Sequence, residues 1–277
     1  MSYFAIEVQA PSGQREAVAA WLVERTGQAV EERADGTLVS FALDLPGALA
    51  LEAAIASSHG SAVHCVRQEL ADVDWTTAWR AGLGVRRVGR FSIVPSWIAH
   101  EPGPDEIVLR LDPEMAFGSG EHGSTRAALA LLDRVVRPGD FVLDLGSGSG
   151  ILSIAAVKLG AVQAVGIEVD GETIPIAVDN VSRNGVAGRV EFLEGDAAQL
   201  TPLLPRAQVV VSNILRLVNV ALLPEIRDAL APGGSAIFSG MELAEAELFR
   251  PALRDGGFVV AEEIVDEGWW AVRATRR

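Results

Sequence analysis

The 277-residue sequence predicts an α/β chain in two parts: a small α+β unit, then a larger, mostly parallel sheet of seven strands covered by helices on both faces. Three observations carry this. From Pro138 onward, short apolar runs alternate with helix-patterned segments, the signature of strands buried on both faces. The last two strand-like runs are joined by only Val265-Asp266-Glu267-Gly268, too short for a parallel crossover, so they pair antiparallel. The first seventy residues follow a different rhythm, strand-helix-strand-strand-helix-strand.

In the small unit, YFAIEVQ reads as a strand, and Pro11-Ser12-Gly13 turns it into the helical QREAVAAWLVERT. Val18, Trp21, Leu22 and Val23 are expected on the packed face of that helix. QAVEER and TLVSFAL flank the hairpin signal Ala34-Asp35-Gly36, and the helical PGALALEAAIASS and strand-like AVHCVRQ complete a ferredoxin-like βαββαβ order. DVDWTTAWRAGL reads as a short helix opened by Asp72 or Asp74, with Trp75 and Trp79 four apart on one face, a spacing that suits packing. RFSIVPSW and EIVLRLDP follow as strands. The expected domains are therefore 1–70, a linker helix over 71–84, and 85–277.

In the large unit the strands are FVLDL, AVGIEV, VEFLEG, AQVVVSNI, GSAIFSG, GFVVAEEI and WWAVRAT. Helices fall over ILSIAAVKLG, ETIPIAVDNVSRNG, VNVALLPEIRDALA and AELFRPALRDG.

Composition narrows the function. A hydrophobic content of 49% supports a sizeable core. The single cysteine, Cys65, forms neither an internal disulfide nor a multi-cysteine zinc site, and His59, His64, His100 and His122 show no metal-ligand spacing, so no metal is expected. The start MSYFAIEVQA lacks a signal-peptide pattern and no apolar run has the length of a membrane span, so a cytoplasmic location without a membrane partner is expected. With 37 acidic against 23 basic side chains, the formal charge of −14 disfavours a nucleic-acid substrate and favours a basic partner.

The chemistry gathers at strand ends. FVLDL ends at Asp144 and is followed by Gly146, Gly148 and Gly150 before a helix, a turn that brings backbone and helix N-terminal amides close to a ligand. The next strand ends in Glu168, placed to accept from ribose hydroxyls, and the third in Asp196. Singly, each acid reads as an ordinary cap; three successive strands ending in acids beside one glycine turn point to a nucleoside site. The G-x-G-x-G spacing and the antiparallel terminal hairpin separate this pattern from the dinucleotide fingerprint.

Those residues resemble the class I methyltransferases that use S-adenosyl-L-methionine, a Rossmann-like seven-stranded fold. DWTTAWRAGL, VPSW, LDPEMAFGSGEHGST, VLDLGSGSGILSIAAVKLGA, DNVSRNGV and SNIL, in that order behind the ferredoxin-like unit, further resemble the ribosomal protein L-eleven methyltransferases over nearly the whole chain. The resemblance implies a substrate-recognition domain, a mobile linker and a catalytic domain. It also implies transfer of methyl groups to lysine ε-amines and the N-terminal α-amine of the large-subunit ribosomal protein L-eleven. It places cofactor contacts at Thr125, Gly146, Glu168 and Asn213, with Gly148 in the same turn, Asp144 near the methionine amine and Asp196 near adenine. Asn213 is also expected to orient the acceptor amine, together with the backbone carbonyl near Ile214.

In MAFGSGEHGST, the resemblance and the glycines read as a lid, with Phe117 covering the ligand and His122 a local hydrogen-bonding residue rather than a base. A plain connector capped by Ser124 or Thr125 is the other reading. Ser119 and Ser124 stand where the family commonly has threonine, Glu114 where it has glycine, and Glu168 where it has aspartate. Arg216-Leu217 replaces the small residues and proline that often follow N-I-L, and is expected to alter the acceptor rim. Two other readings remain open: a different protein lysine or small amine as acceptor, and a cofactor-binding interaction module without transferase activity.

Overall fold

The computed structural model describes residues 3–11, 13–26, 30–33, 35–70, 84–112, 120 and 122–277. The chain divides into two compact units, Met1–Gly82 and Leu83–Arg277. Of the linker helix expected over 71–84, residues 71–83, including Trp75 and Trp79, lie outside the described residues.

The first unit runs β1 (Tyr3–Gln9), α1 (Arg15–Thr26), β2 (Glu31–Glu32), β3 (Leu38–Ala42), α2 (Leu45–His59) and β4 (His64–Leu70). Its sheet has the order β2-β3-β1-β4 with every pairing antiparallel, the ferredoxin-like arrangement. Alternation decides which side chains meet the helices: Phe4, Ile6 and Val8 share one face and pack with Val18 and Leu22 of α1 and Leu51 and Ile55 of α2. Val23 does not join the packed face expected for it, and is 45% exposed. Five residues past Val18, it points about 140° around the helix.

The second unit begins with a small sheet, β5 (Arg86–Val88), β6 (Phe91–Val94) and β7 (Ile107–Arg110), of which β5 has no counterpart in the sequence reading. There follow α3 (Gly123–Val135), β8 (Phe141–Leu145), α4 (Ile151–Lys158), β9 (Gln163–Glu168), α5 (Ile174–Arg183), β10 (Val190–Glu194), α6 (Ala197–Leu200) and β11 (Ala207–Asn213). The chain closes with α7 (Arg216–Ala221), α8 (Leu223–Ala229), β12 (Leu230–Glu242), α9 (Ala246–Asp255), β13 (Phe258–Asp266) and β14 (Trp269–Arg276). The one helix expected over 218–231 is two, because Pro224 supplies no amide hydrogen to continue the first and instead opens the second.

The seven strands lie in the order β10-β9-β8-β11-β12-β14-β13. All are parallel except β14, which runs antiparallel to both β12 and β13. The β13–β14 turn is the two residues Glu267-Gly268, with φ of +48° and +83°. Positive φ at both positions is the primed turn whose twist matches paired strands. Both faces of the sheet are packed: Val142 and Val211 meet α3 and α4, and Leu143 and Leu145 meet α8 and α9. Strand order reverses at β8, with β9 on one side and β11 on the other, which opens a crevice at their carboxyl ends.

Candidate active site

The glycine turn after β8 is held by backbone and carboxylate together. Gly146 has φ +74° and its N–H donates to the Ile167 carbonyl at 2.8 Å. A Cβ at this position would lie 2.4 Å from Ile214 Cγ2, so the turn and the loop after β11 touch here. Glu168 accepts from the Gly148 N–H at 2.8 Å through one oxygen and from the Asp170 N–H at 3.0 Å through the other. A carboxylate has about four lone-pair sites, so Glu168 shapes the turn and retains acceptor capacity toward a ligand.

Asp144 lies beneath the turn and is wholly buried. Alternation along β8 points it to the α4 face, where its Oδ2 accepts from the Ser153 N–H at 3.0 Å and the Ser153 hydroxyl at 2.7 Å. Its Oδ1 is buried without a partner among the described residues. Burial pushes its carboxyl up to about 6, against the Ser153 hydrogen bonds and with help from the charge of Glu168. Asp196, just past β10, caps α6 by accepting from the Ala198 N–H at 2.8 Å.

At the other end of the crevice Asn213 closes β11. Its Nδ2 donates to Thr125 Oγ1 at 3.2 Å, and its Oδ1 is buried without a partner among the described residues. Thr125 is itself fully buried at the start of α3, so the structure places its hydroxyl beneath Asn213. The Ile214 carbonyl accepts from Asn219 Nδ2 at 3.0 Å; that amide also donates to the Ser239 carbonyl and accepts from the Ser212 hydroxyl. Asn219 and this buried network escaped sequence reading, because a lone Asn within a helix-patterned segment carries no signal of its partners.

Trp269 and His122 complete the wall, with ring centroids 4.0 Å apart and planes inclined by 53°. His122 Nδ1 is 2.7 Å from the Ser124 hydroxyl, and burial, with the nearby Arg126 charge, holds the imidazole below its usual pKa. His122, rather than Ser124 or Thr125, is the N-cap residue of α3. Arg216 is tied to Glu245 at 3.1 Å and Leu217 is 70% exposed, while Leu215 and Val218 line the cavity. Phe117 and most of the 115–121 segment fall outside the described residues, where only Gly120 is placed.

These parts enclose one cavity of about 630 Å³. Gly146, Gly148, Glu168 and Asp196 line it toward β9 and β10, and Asn213 and Trp269 line it toward β11 and β14. The volume is that of a small-molecule or cofactor site. Among the described residues, no group of three or more His, Cys, Asp or Glu side chains is placed to hold a metal.

Glu168 and Asp196 line the cavity and suit a ligand carrying a ribose diol and positive charge, whereas Asp144 does not line it; the Asp144 Oδ1, without a partner among the described residues, calls for a hydrogen-bond donor. Fold and site define a class I methyltransferase, whose cofactor, S-adenosyl-L-methionine, has this chemistry. The family model described as Ribosomal protein L11 methyltransferase (PrmA) matches residues 12–277, and the chain belongs to that family.

The Ribosomal protein L11 methyltransferase of Pelotomaculum thermopropionicum is 41% identical over 208 residues, covering 75% of this chain and 67% of that one. The protein of the same name from Thermus thermophilus is 42% identical over 212 residues, covering 76% and 81%. Among solved structures, ribosomal protein L11 methylase from Lactobacillus delbrueckii subsp. bulgaricus is similar with a TM-score of 0.65 and 29% identity, over 70% of this chain and all of that one.

Proposed function

We propose that this chain transfers methyl groups from S-adenosyl-L-methionine to ribosomal protein L11, at lysine ε-amines and at the N-terminal α-amine. The observation that carries the reading is the Asn213 side chain: a buried amide oxygen without a partner among the described residues, in the cavity that Glu168 and Asp196 also line. The cofactor supplies an electrophilic methyl group. Glu168, the glycine turn, Asp144 and Asp196 bind and orient the nucleoside and amino-acid parts. Asn213 Oδ1 accepts from the N–H of the acceptor amine and aims its lone pair along the line of displacement. Positioning of this kind supplies much of the rate without a covalent residue, provided the amine arrives neutral. Its proton leaves to water.

The ferredoxin-like unit is assigned recognition of the acceptor. A basic ribosomal protein complements a chain of formal charge −14, and a cytoplasmic reaction suits that partner. Among the described residues, no helix is long and apolar enough to cross a membrane.

The test is incubation with labelled cofactor and recombinant ribosomal protein L11, followed by mass spectrometry of the product, with Asn213→Ala beside the wild type. Label on lysine and α-amines that disappears in the variant supports the reading. Undiminished labelling by Asn213→Ala removes Asn213 from the reaction. Binding of cofactor without labelling of ribosomal protein L11 moves the acceptor elsewhere or makes the chain a binding module.

A further inference from the structure

The β13–β14 turn is fixed to the start of α3 by a single arginine. Arg126, with a side chain only 12% exposed, donates from Nε and Nη2 to the two oxygens of Asp266 at 2.8 and 2.9 Å. Its Nη2 also lies 2.7 Å from Glu267 Oε2. Two parallel bonds to one carboxylate fix direction as well as distance, which a point charge does not.

The anchored residue matters because of its register. Asp266 stands directly opposite Trp269 across the hairpin, with only Glu267 and Gly268 between them. A two-residue turn has no slack, so the position of Asp266 sets that of Trp269. The turn also lies flush on the helix: a Cβ on Gly123 would be 2.5 Å from the Asp266 carbonyl oxygen and 2.8 Å from Trp269 Cδ1. Trp269 in turn packs on His122 and lines the cavity with Asn213, with β8, β11 and β12 between its strand and that of Glu168.

From this we infer that Arg126 is a positioning residue for methyl transfer: by clamping Asp266 and Glu267 it sets where Trp269 closes the acceptor end of the cavity. The inference rests on the transferase reading given above. A simple tether between α3 and β13 does not account for the clamp, since Arg134, two turns further along the same helix, already bridges Glu262 of the same strand. Arg126 instead holds Asp266, the register partner of Trp269, which lines the cavity. Because the clamp acts at the β14 end, its loss leaves the nucleoside end intact.

The experiment compares Arg126→Met, Arg126→Lys and Arg134→Met with the wild type. The protein is labelled with 5-fluorotryptophan, and the Trp269 resonance is identified by its absence in Trp269→Phe. Arg126→Met shifts the Trp269 ¹⁹F signal, leaves the dissociation constant for S-adenosyl-L-methionine within about twofold, and lowers kcat/KM for ribosomal protein L11 by about tenfold or more. Arg126→Lys, which keeps the charge but not the paired geometry, recovers only part of the rate, and Arg134→Met behaves as the wild type throughout. A Trp269 signal unmoved in Arg126→Met overturns the inference, as does cofactor affinity lost in step with turnover. The fluorine signal and cofactor affinity need no acceptor, so they decide the role of Arg126 even where the wild type does not methylate ribosomal protein L11.

Discussion

Asn213 Nδ2 donates to the buried hydroxyl of Thr125 at 3.2 Å, and this bond decides which end of the amide is left to act. With the nitrogen engaged, the oxygen remains a buried acceptor without a partner among the described residues. Thr125 thus meets Asn213, at a position where the family resemblance implies a cofactor contact.

Replacement of Thr125 by Val, which keeps the shape and removes the hydroxyl, leaves Asn213 free to rotate. Turnover should fall by roughly five- to thirtyfold, the value of about one or two kcal/mol of lost orientation, with little change in cofactor affinity. Steady-state methyl transfer beside calorimetric cofactor binding separates the two effects. Full turnover with weakened binding would return Thr125 to the role of cofactor contact.

Substitution of Gly146 by Ala confronts two obstacles together. Its φ of +74° costs a side-chain residue about 1–2 kcal/mol, and the new Cβ would sit 2.4 Å from Ile214 Cγ2. The turn or the loop after β11 must move, so S-adenosyl-L-methionine affinity is expected to drop by about tenfold or more. Isothermal titration measures this directly, and an unchanged constant would show that the cofactor does not depend on this turn.

Glu168→Gln keeps the length of the side chain but offers one acceptor oxygen where two are used. Either the Gly148 or the Asp170 amide loses its partner, and the negative charge facing the ligand disappears. Cofactor binding is expected to weaken about tenfold, from loss of one charge-assisted bond. Equilibrium dialysis with labelled cofactor reads the change, and wild-type binding in the variant would reject Glu168 as an anchor.

Asp144 links stability to pH. Burial pushes its folded carboxyl up to about 6 from an ordinary 3.8, so between these values the folded chain holds a proton that the unfolded chain has released. Stability without cofactor should therefore fall as pH rises from about 4 to 6, by about 3 kcal/mol from this group. Above the folded value the loss is complete and the contribution becomes flat. Urea unfolding of the wild type and Asp144→Asn at a series of pH values isolates it as the difference between two curves. Parallel curves would mean that Asp144 is ionised in the fold throughout.

The strand-and-helix order of both units was legible because periodicity is local: apolar alternation and helical spacing are written within ten or fifteen residues. The terminal hairpin was legible for the same reason, since four residues between two strands forbid a crossover. Errors fell where distant contacts or small angular steps decide. Val23 lies beside Leu22 in sequence but not on the packed face of α1, the 218–231 helix breaks at Leu222 before Pro224, and β5 exists through pairing with β6. In the site, the glycine turn and the acids at 144, 168 and 196 were readable from strand ends. Asn219, Ser212, Ser239 and Trp269 were not, because their roles come from partners up to 147 positions away, as Trp269 to His122.

By itself the sequence determined the fold class, the family and the crevice in which the chemistry sits, since each follows from short motifs in a fixed order. Tertiary structure alone decided which side chains meet: Thr125 bonds Asn213, Glu168 holds the glycine turn, Asp144 is buried with one oxygen without a partner among the described residues, and Arg126 binds Asp266 in the hairpin that carries Trp269. The reason is physical: the pattern of a strand or turn is set by neighbours along the chain, whereas the direction of a hydrogen bond and the dryness of a carboxylate are set by atoms that meet only once the sheet has closed.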